Sequence, residues 1–597
     1  MQYLIDEIKE AVAKAFEEAG YDRELALVKV SDRQDLAEYQ SNGAMAGAKK
    51  YHKAPIQIAG EVAALLQQNP IFEKVEAVAP GFINLDVTPD FVCGALKDCA
   101  HAKRFGVTGE GISKKTVLDF GGANIAKPLH VGHLRSAIIG ECLKRLLRYC
   151  GAEVTGDVHL GDWGMPMGLI IASISEEQPD LPYFNPSFTG SFPKEPPFTI
   201  SELEEIYPQA SARSKTDTEF HAKAMEMTSR LQAGDRGIRA LWHHISNVSG
   251  ADLKKNYARL GASFDLWRGE SYADPEMGPM VEEMKRLGIA HESDGAIVVD
   301  VAQETDSKEI PPCLIQKSDG AALYATSDLA TIKQRMAEFE PEEIVYCVDK
   351  RQEMHFVQVF RTARKARLVL PETKLSFVGF GTMNGKDGKP FKTRNGGLPR
   401  LSDLLDEVKE QMLVRIRESE HEVPEADAAD VAAKVALAAL KYADLSNQPS
   451  KDYIFDPEKF TAFEGDTGPY LLYTIVRIKS ILVKAIAGED GGEMKEALTD
   501  PLRFLRAPHS VSEKNLMMKM CGFSAAVETA ARELMPNRLT NYLYELTGVF
   551  NSFYHDTKIL SEADKEKKMS YLALLKILLK ELEAGIDILG FAAPDRM

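Results

Sequence analysis

The sequence has no apolar run approaching the roughly 18 residues of a membrane span. Its opening, Met1-Gln2-Tyr3-Leu4-Ile5-Asp6-Glu7, lacks the basic head and apolar stretch of a secretory signal. A membrane protein is excluded on this reading, and a cytoplasmic location is expected. There is no Cys-x-x-Cys pair among the seven cysteines, at 93, 99, 142, 150, 313, 347 and 521. An odd set in apolar or helical settings argues for reduced, buried thiols over a disulfide framework or a zinc site. Positive charge is also short: 72 basic against 89 acidic residues leave a net charge of -17. That excludes a general binder of nucleic-acid backbones. It does not exclude a reader of one folded RNA, which needs only local patches, shape and base stacking.

What is present is an ordinary globular composition, 44% hydrophobic and 27% charged over 597 residues, enough for roughly three or four domains with ample cores. The stretch from Thr116 to Gly164 organises the rest. Thr116-Val117-Leu118-Asp119-Phe120 is a short apolar run of β type, broken by Gly121-Gly122-Ala123-Asn124. From Leu134 to Tyr149, Ile138, Ile139, Cys142, Leu143, Leu146 and Leu147 recur at threes and fours, predicting a helix with one buried face that ends at Gly151. Ala152 to Leu160 returns as a strand, closed by Gly161-Asp162-Trp163-Gly164.

A strand-loop-helix unit aims the free amides and positive dipole of its helix start at whatever lies above the strand ends, which is an anion site. Here the loop adds His130 and His133, with Gly132 between them, whose missing side chain is expected to let a flat ring or a phosphate approach the backbone. Gly-x-Gly-x-x-Gly and Gly-x-x-x-x-Gly-Lys-Ser/Thr are both missing from this turn. Alone, two histidines at a helix start are more often caps or solvated groups.

The run His130-Val131-Gly132-His133 resembles the HIGH signature of class I aminoacyl-tRNA synthetases, and Ala123 to Ser136 with the following Gly-Asp-Trp-Gly is similar specifically to the arginyl branch. The similarity extends over nearly the whole chain. It implies an α/β fold: a Rossmann-type catalytic domain with an insertion, an N-terminal α+β domain and a C-terminal α-helical bundle. The expected divisions are 1-108, 109-400 with the insertion at about 175-290, a connector over 401-425, and 426-597.

Taken in order, Leu4, Ile5, Ile8, Val12 and Phe16 stripe an opening helix, and two strands flank Pro80-Gly81. Glu38 to Gly43 looks like a polar aromatic turn or a helix cap; the resemblance implies that Tyr39, Gln40 and Asn42 approach the tRNA elbow. Seven of the 29 prolines fall between Pro179 and Pro208, which predicts a loop or insertion, with helices resuming from Glu219. The second half of the nucleotide fold is expected to resume at Ala296-Ile297-Val298-Val299-Asp300, with a hairpin at Asp319-Gly320 and a buried strand Glu343 to Val348.

Ligands of an open parallel sheet sit beyond the carboxyl ends of its strands, so Asp119, Asn124 and Gln352 are expected to face one crevice. A guanidinium is best met by carboxylates that accept parallel hydrogen bonds. By resemblance, Asp119 and Asp328 bind the arginine side chain, Tyr324 packs on it or hydrogen-bonds to it, and Asn124 and Gln352 take its amino and carboxyl groups. Such a site rejects lysine without editing.

The second class I signature, Lys-Met-Ser-Lys-Ser, is replaced here by Asn384 to Gly397. Its glycines and its basic Lys386, Lys389, Lys392 and Arg394 suit a mobile loop that neutralises pyrophosphate. Lys127 is a further candidate. Gly132, Asp162, Trp163 and Gly164 are placed by resemblance near ATP. Beyond Glu420 the chain reads as a helix bundle, which the family uses for the anticodon. Arg538, Tyr542 and the terminal Met597 are candidate contacts, although aromatic spacing of this kind is more often core.

The resemblance implies ATP-dependent attachment of L-arginine to tRNA-Arg, with Mg²⁺ carried by ATP; the chain is expected to be a monomer with no protein-bound metal. A glutamate or glutamine sibling would need cations in place of Asp119 and Asp328. A non-catalytic paralogue would lose His130 or His133, and a small-molecule nucleotidyltransferase would lack the bundle.

Overall fold

The computed structural model describes residues 4-127, 129-318, 320-389, 400-418, 423-488 and 490-597. The N-terminal unit packs the helix Leu4–Glu18, through Leu4, Ile8, Val12 and Phe16, on an antiparallel sheet of order β1-β2-β4-β3. Its strands are β1 (Val28–Val30), β2 (Tyr39–Ser41), β3 (Phe72–Val78) and β4 (Phe82–Val87). Residues 39-41 are therefore a strand rather than a polar turn. Tyr39 is buried opposite Leu85, and the Gln40 amide donates to Asn84 Oδ1 at 2.9 Å.

The central unit is a five-stranded, wholly parallel sheet of order β12-β11-β5-β6-β7. Its first strands are β5 (Lys115–Asp119), β6 (Glu153–Leu160) and β7 (Leu266–Gly269). Next come β8 (His291–Ser293), β9 (Ala296–Val299) and β10 (Cys313–Gln316), then β11 (Glu343–Asp349) and β12 (Lys374–Phe380). From β5 the chain winds outward through β6 to β7, and later returns to add β11 on the other side. The crevice above the ends of β5 and β11 is thus the topological switch point. Thr116 to Asp119 are buried on both faces, as a central parallel strand covered by helices requires.

Strand β9, expected to restart this sheet, belongs to a separate antiparallel sheet of order β10-β9-β8. Its apolar run fits either sheet, and pairing partners decide between them. The predicted hairpin is partly seen as a bridge between Gln316 and Ala322; Asp319 lies outside the described residues. The insertion differs too. The proline-rich stretch contains the helix Ile200–Arg213 with Pro208 inside it, started by a reciprocal cap in which Thr199 N donates to the Glu202 carboxylate at 2.6 Å. Two longer helices follow, Thr218–Gln232 and Arg236–Arg259.

The helix Val131–Tyr149 is buried on nearly all sides, not on one face. The sheet covers one side of it and the C-terminal bundle the other, so even Arg135, Glu141 and Lys144 are enclosed. Arg135 Nε lies 3.1 Å from Asp444 Oδ2 of the helix Glu425–Leu445. Lys441 of that same helix donates to the Gly590 carbonyl at 2.7 Å. The bundle therefore rests on the helix that carries the two histidines. The connector over 401-425 is itself mostly the helix Leu401–Glu418.

Candidate active site

The loop after β5 is fixed before any ligand is considered. Gly121 has φ +93°, and a Cβ there would lie 2.9 Å from the Phe264 ring. Its amide donates to Ser136 Oγ at 2.7 Å, and Ser136 donates to the Cys347 carbonyl at 2.8 Å. Loop, helix and β11 are thus tied together. Ala126 holds φ +59°, a left-handed conformation costly for a residue with a Cβ, and its amide donates to Ser249 Oγ at 3.0 Å.

His130 and His133 cap the helix start reciprocally. Gly132 N donates to His130 Nδ1 at 3.0 Å, and His130 N donates to His133 Nδ1 at 3.2 Å. The ring centroids lie 4.0 Å apart. Burial pushes the His133 imidazolium down to about 3, with His130 adding to it, and burial with Lys127 lowers His130. Both rings are therefore neutral at pH 7, and the acceptor role of each Nδ1 places the proton on Nε2. Two neutral Nε2–H donors stand at an electropositive helix start. The space beside Gly132 has a use that sequence reasoning missed: a Cβ there would meet the His130 ring at 2.7 Å. The glycine lets the histidine fold back as a cap.

Asp119 ends β5, and its Oδ2 accepts from Arg335 Nη2 at 2.6 Å. Asp328, in the first turns of the helix Tyr324–Phe339, lies 2.6 Å from His355 Nε2. Glu270, which opens the helix Glu270–Arg286, faces the same region: burial, then Asp162 and Asp328, push its carboxyl up to about 7. Tyr324 is 71% exposed, at the mouth, within electrostatic reach of Glu270. Asn124 bridges to Gly161, and Gln352 lies exposed in the turn after β11. Glu270, His355 and Arg335 were not found from sequence. Each is a lone polar residue in a helix, with partners far along the chain.

In the Gly-Asp-Trp-Gly turn, Asp162 accepts from Ser271 N at 2.9 Å and from Ser271 Oγ at 2.6 Å, capping the helix that begins at Glu270. Trp163 is buried and donates to Asp274 Oδ1 at 3.0 Å. Gly164 takes φ 77° at the start of the next helix. The polar atoms of Asp162 and Trp163 are thus engaged by the scaffold.

Beside His130 lies a cavity of about 310 Å³ lined by Lys127, Tyr207, Lys215 and Arg400. Lys127 Nζ stands 4.7 Å from the Tyr207 ring centre, and Arg400 pairs with Glu204 at 3.0 Å. Lys386 is held by Asp456 and Glu458 at 3.2 and 3.0 Å, and Lys389 is exposed. Lys392 and Arg394 lie outside the described residues. A larger cleft, about 1380 Å³, lies away from this chemistry, between the N-terminal unit and the bundle.

On the bundle, Tyr542 is buried, its hydroxyl 2.6 Å from Glu581 Oε1, and Met597 is buried too. Arg538 is half exposed and pairs with Glu533. Tyr544 and Tyr554 are the exposed aromatics of that segment. Arg477 lies 5.3 Å from the Tyr554 ring centre and 4.7 Å from that of Tyr473.

Three family models match the chain. They are an arginyl tRNA synthetase N terminal domain over residues 2-87, a class I (R) tRNA synthetase catalytic domain over 100-457, and a DALR anticodon binding domain over 471-597. An arginine–tRNA ligase from Agathobacter rectalis is 54% identical over 604 residues, covering 100% of both chains. Another from Alkaliphilus oremlandii is 48% identical, again over 100% of both. In fold, the chain is similar to the crystal structure of arginyl-tRNA synthetase from Plasmodium falciparum, with a TM-score of 0.79 at 23% identity and 100% of each chain covered.

Proposed function

The chain belongs to the class I arginyl-tRNA synthetases and acts as an arginine–tRNA ligase, and from that premise we propose how its own residues divide the reaction. The arginine carboxylate attacks the α-phosphorus of ATP, the bond to the bridging oxygen breaks, and pyrophosphate leaves. The terminal 2′-hydroxyl of tRNA-Arg then attacks the arginyl carbonyl, its proton passes to the departing phosphate, the bond from the carbonyl to that phosphate's oxygen breaks, and AMP leaves. No bond to the protein forms in either step. Alignment and charge stabilisation carry the catalysis.

His130 and His133 donate their Nε2–H groups to phosphate oxygens, assisted by the helix start. Because both rings are neutral, they act as hydrogen-bond donors and hold no proton in reserve. Lys127 and Arg400, which line the cavity beside His130, take the leaving pyrophosphate with Lys386, Lys389, Lys392 and Arg394 of the loop. Mg²⁺ arrives with ATP as part of the substrate. Gly132, with Asp162, Trp163 and Gly164, forms the floor beneath the nucleotide, the last three by shape rather than by free polar atoms.

The amino acid lies across the switch point. Asp328 and Glu270 face its guanidinium on one side and Asp119 on the other, with Tyr324 over it. Asn124 and Gln352 hold the amino and carboxyl ends. The convergence of three acids on one crevice is the observation that carries this reading, since a permanently charged planar fork is the ligand they suit.

For tRNA, Gln40 and Asn42 are offered to the elbow from the N-terminal unit, with Tyr39 and the cleft behind them. Tyr473, Arg477, Tyr544 and Tyr554 offer rings and a guanidinium on which unstacked anticodon bases can lie, flanked by Arg538. Tyr542 and Met597 act through the framework beneath that face. The functional units are taken as 1-108, 109-400, 401-425 and 426-597, working as a monomer.

The test is pyrophosphate exchange into ATP with each of the twenty amino acids, with and without tRNA-Arg. Exchange with arginine alone among them, greatest with tRNA present, supports the reading. Exchange driven by another amino acid overturns it.

A further inference from the structure

Beneath the crevice the three central strands present one polar row in register: Tyr346 of β11, Asp119 of β5 and Asp157 of β6. The helix Tyr324–Phe339 lowers Arg335 onto this row. A single nitrogen, Nη2, donates to Asp119 Oδ2 at 2.6 Å and to Asp157 Oδ2 at 2.7 Å. The guanidinium lies 5.4 Å from the centre of the Tyr346 ring. The side chains of Arg335 and Asp157 are each 1% exposed, and that of Asp119 is 10% exposed. Asp157 Oδ1 is buried without a hydrogen-bond partner among the described residues. One cation therefore serves two carboxylates, one sealed and one at the crevice wall.

Resting on the proposal that Asp119 meets the substrate guanidinium, we infer that Arg335 is the positioning residue of arginine recognition: it turns one oxygen of Asp119 inward and leaves Oδ1 for the substrate. The alternative arrangement, Asp119 free to rotate and to clasp a ligand with both oxygens, is closed off by this anchor. Two buried acids this close cannot both stay ionised without a cation between them, and they would share a proton. Arg335 is charged at every working pH, so it removes that proton from the row. The other titratable groups facing the row are His159, near Asp119, Arg268 of β7, near Asp157 and paired with Glu338, the Cys347 thiol, near Asp119, and Asp328, near Tyr346.

Arginine and ATP dependence of pyrophosphate exchange, with tRNA present and from pH 6 to 9, tests this in four variants. Arg335→Met leaves two acids with no cation bonded between them. The KM for arginine is expected to rise about 100-fold at pH 7 and to recover as pH rises, with the KM for ATP unchanged. Adding Asp157→Asn removes the competing charge and is expected to bring the arginine KM back to within about tenfold and flatten its pH profile. A merely structural role predicts neither the rescue nor the profile. If Arg335→Met does not fold, Arg335→Lys decides: its ammonium, one bond shorter in reach, falls short of the position of Nη2 between the two acids, and the arginine KM should rise about tenfold while that for ATP holds. Unchanged arginine KM in Arg335→Lys, or equal loss for both substrates without rescue in the double variant, overturns the inference. Asp119→Asn separates the premise, because an unchanged arginine KM in that variant removes Asp119 from the site altogether.

Discussion

Asp119 and Asp328 have the same side chain and the same proposed ligand, yet they are held in opposite ways. Asp119 ends a strand, is nearly sealed, and is anchored by a guanidinium that never loses its charge. Asp328 sits in a helix start with its side chain 20% exposed, paired with an imidazole 29% exposed, a partner that can yield to a ligand. One acid is part of the floor, and the other is available. Glu270 stands on the available side, where burial and the two neighbouring carboxylates push its carboxyl up to about 7. The difference teaches that an acidic crevice is not a uniform field. Its strongest contact with a substrate cation should come from the acid whose present partner is easiest to displace.

The comparison breaks first at Asp328. Asp328→Asn removes the displaceable charge, and the arginine KM in pyrophosphate exchange should rise about 1000-fold, with the ATP KM nearly constant. Asp119→Asn should cost less, about 10- to 100-fold, because only one oxygen is offered to the substrate.

Titration sharpens the same contrast. Glu270 titrates near 7, so below that pH it is protonated and contributes no charge to the guanidinium. The arginine KM should therefore rise as pH falls through 7, by up to about tenfold per unit, and level off above about pH 8. Glu270→Gln should abolish that dependence. A raised carboxyl also costs stability once the pH exceeds the unfolded value, and the cost is complete above the folded one. At pH 8 it amounts to roughly 3 kcal/mol. Glu270→Gln should accordingly raise the unfolding midpoint at pH 8 and leave it unchanged at pH 4, a shift read by thermal denaturation. The smallest effect is expected at His355, where His355→Gln retains a donor for Asp328 and should alter the arginine KM by no more than about threefold.

The parts of this site written in short stretches of chain were legible in the sequence. The helix start at His130 and His133 could be recognised because loop glycines, histidines and helix period all lie in one continuous stretch, from Gly121 to Leu147. Asp119 could be placed at a strand end because β5 is short and apolar. Arg335 could not be placed there: it is 216 residues from Asp119, and in its own helix it looks like any exposed arginine. Glu270 and His355 were invisible for the same reason. The failures of fold reading have a related cause. Ala296 to Val299 has the composition of a central strand, but composition does not name a pairing partner. Tyr39 and Tyr542 lie in polar, aromatic segments that suggested contact surfaces, and tertiary packing turned both rings inward. Their exposed neighbours Tyr544 and Tyr554 carry the same composition on the other face of the helix.

The most direct test of the unequal acids is isothermal titration of L-arginine, with tRNA-Arg and a non-hydrolysable ATP analogue present, into Asp328→Asn and Asp119→Asn side by side at pH 8. The account predicts weaker binding to Asp328→Asn than to Asp119→Asn by at least about tenfold. Equal losses, or the greater loss at Asp119, would contradict it and make the anchored acid the principal ligand.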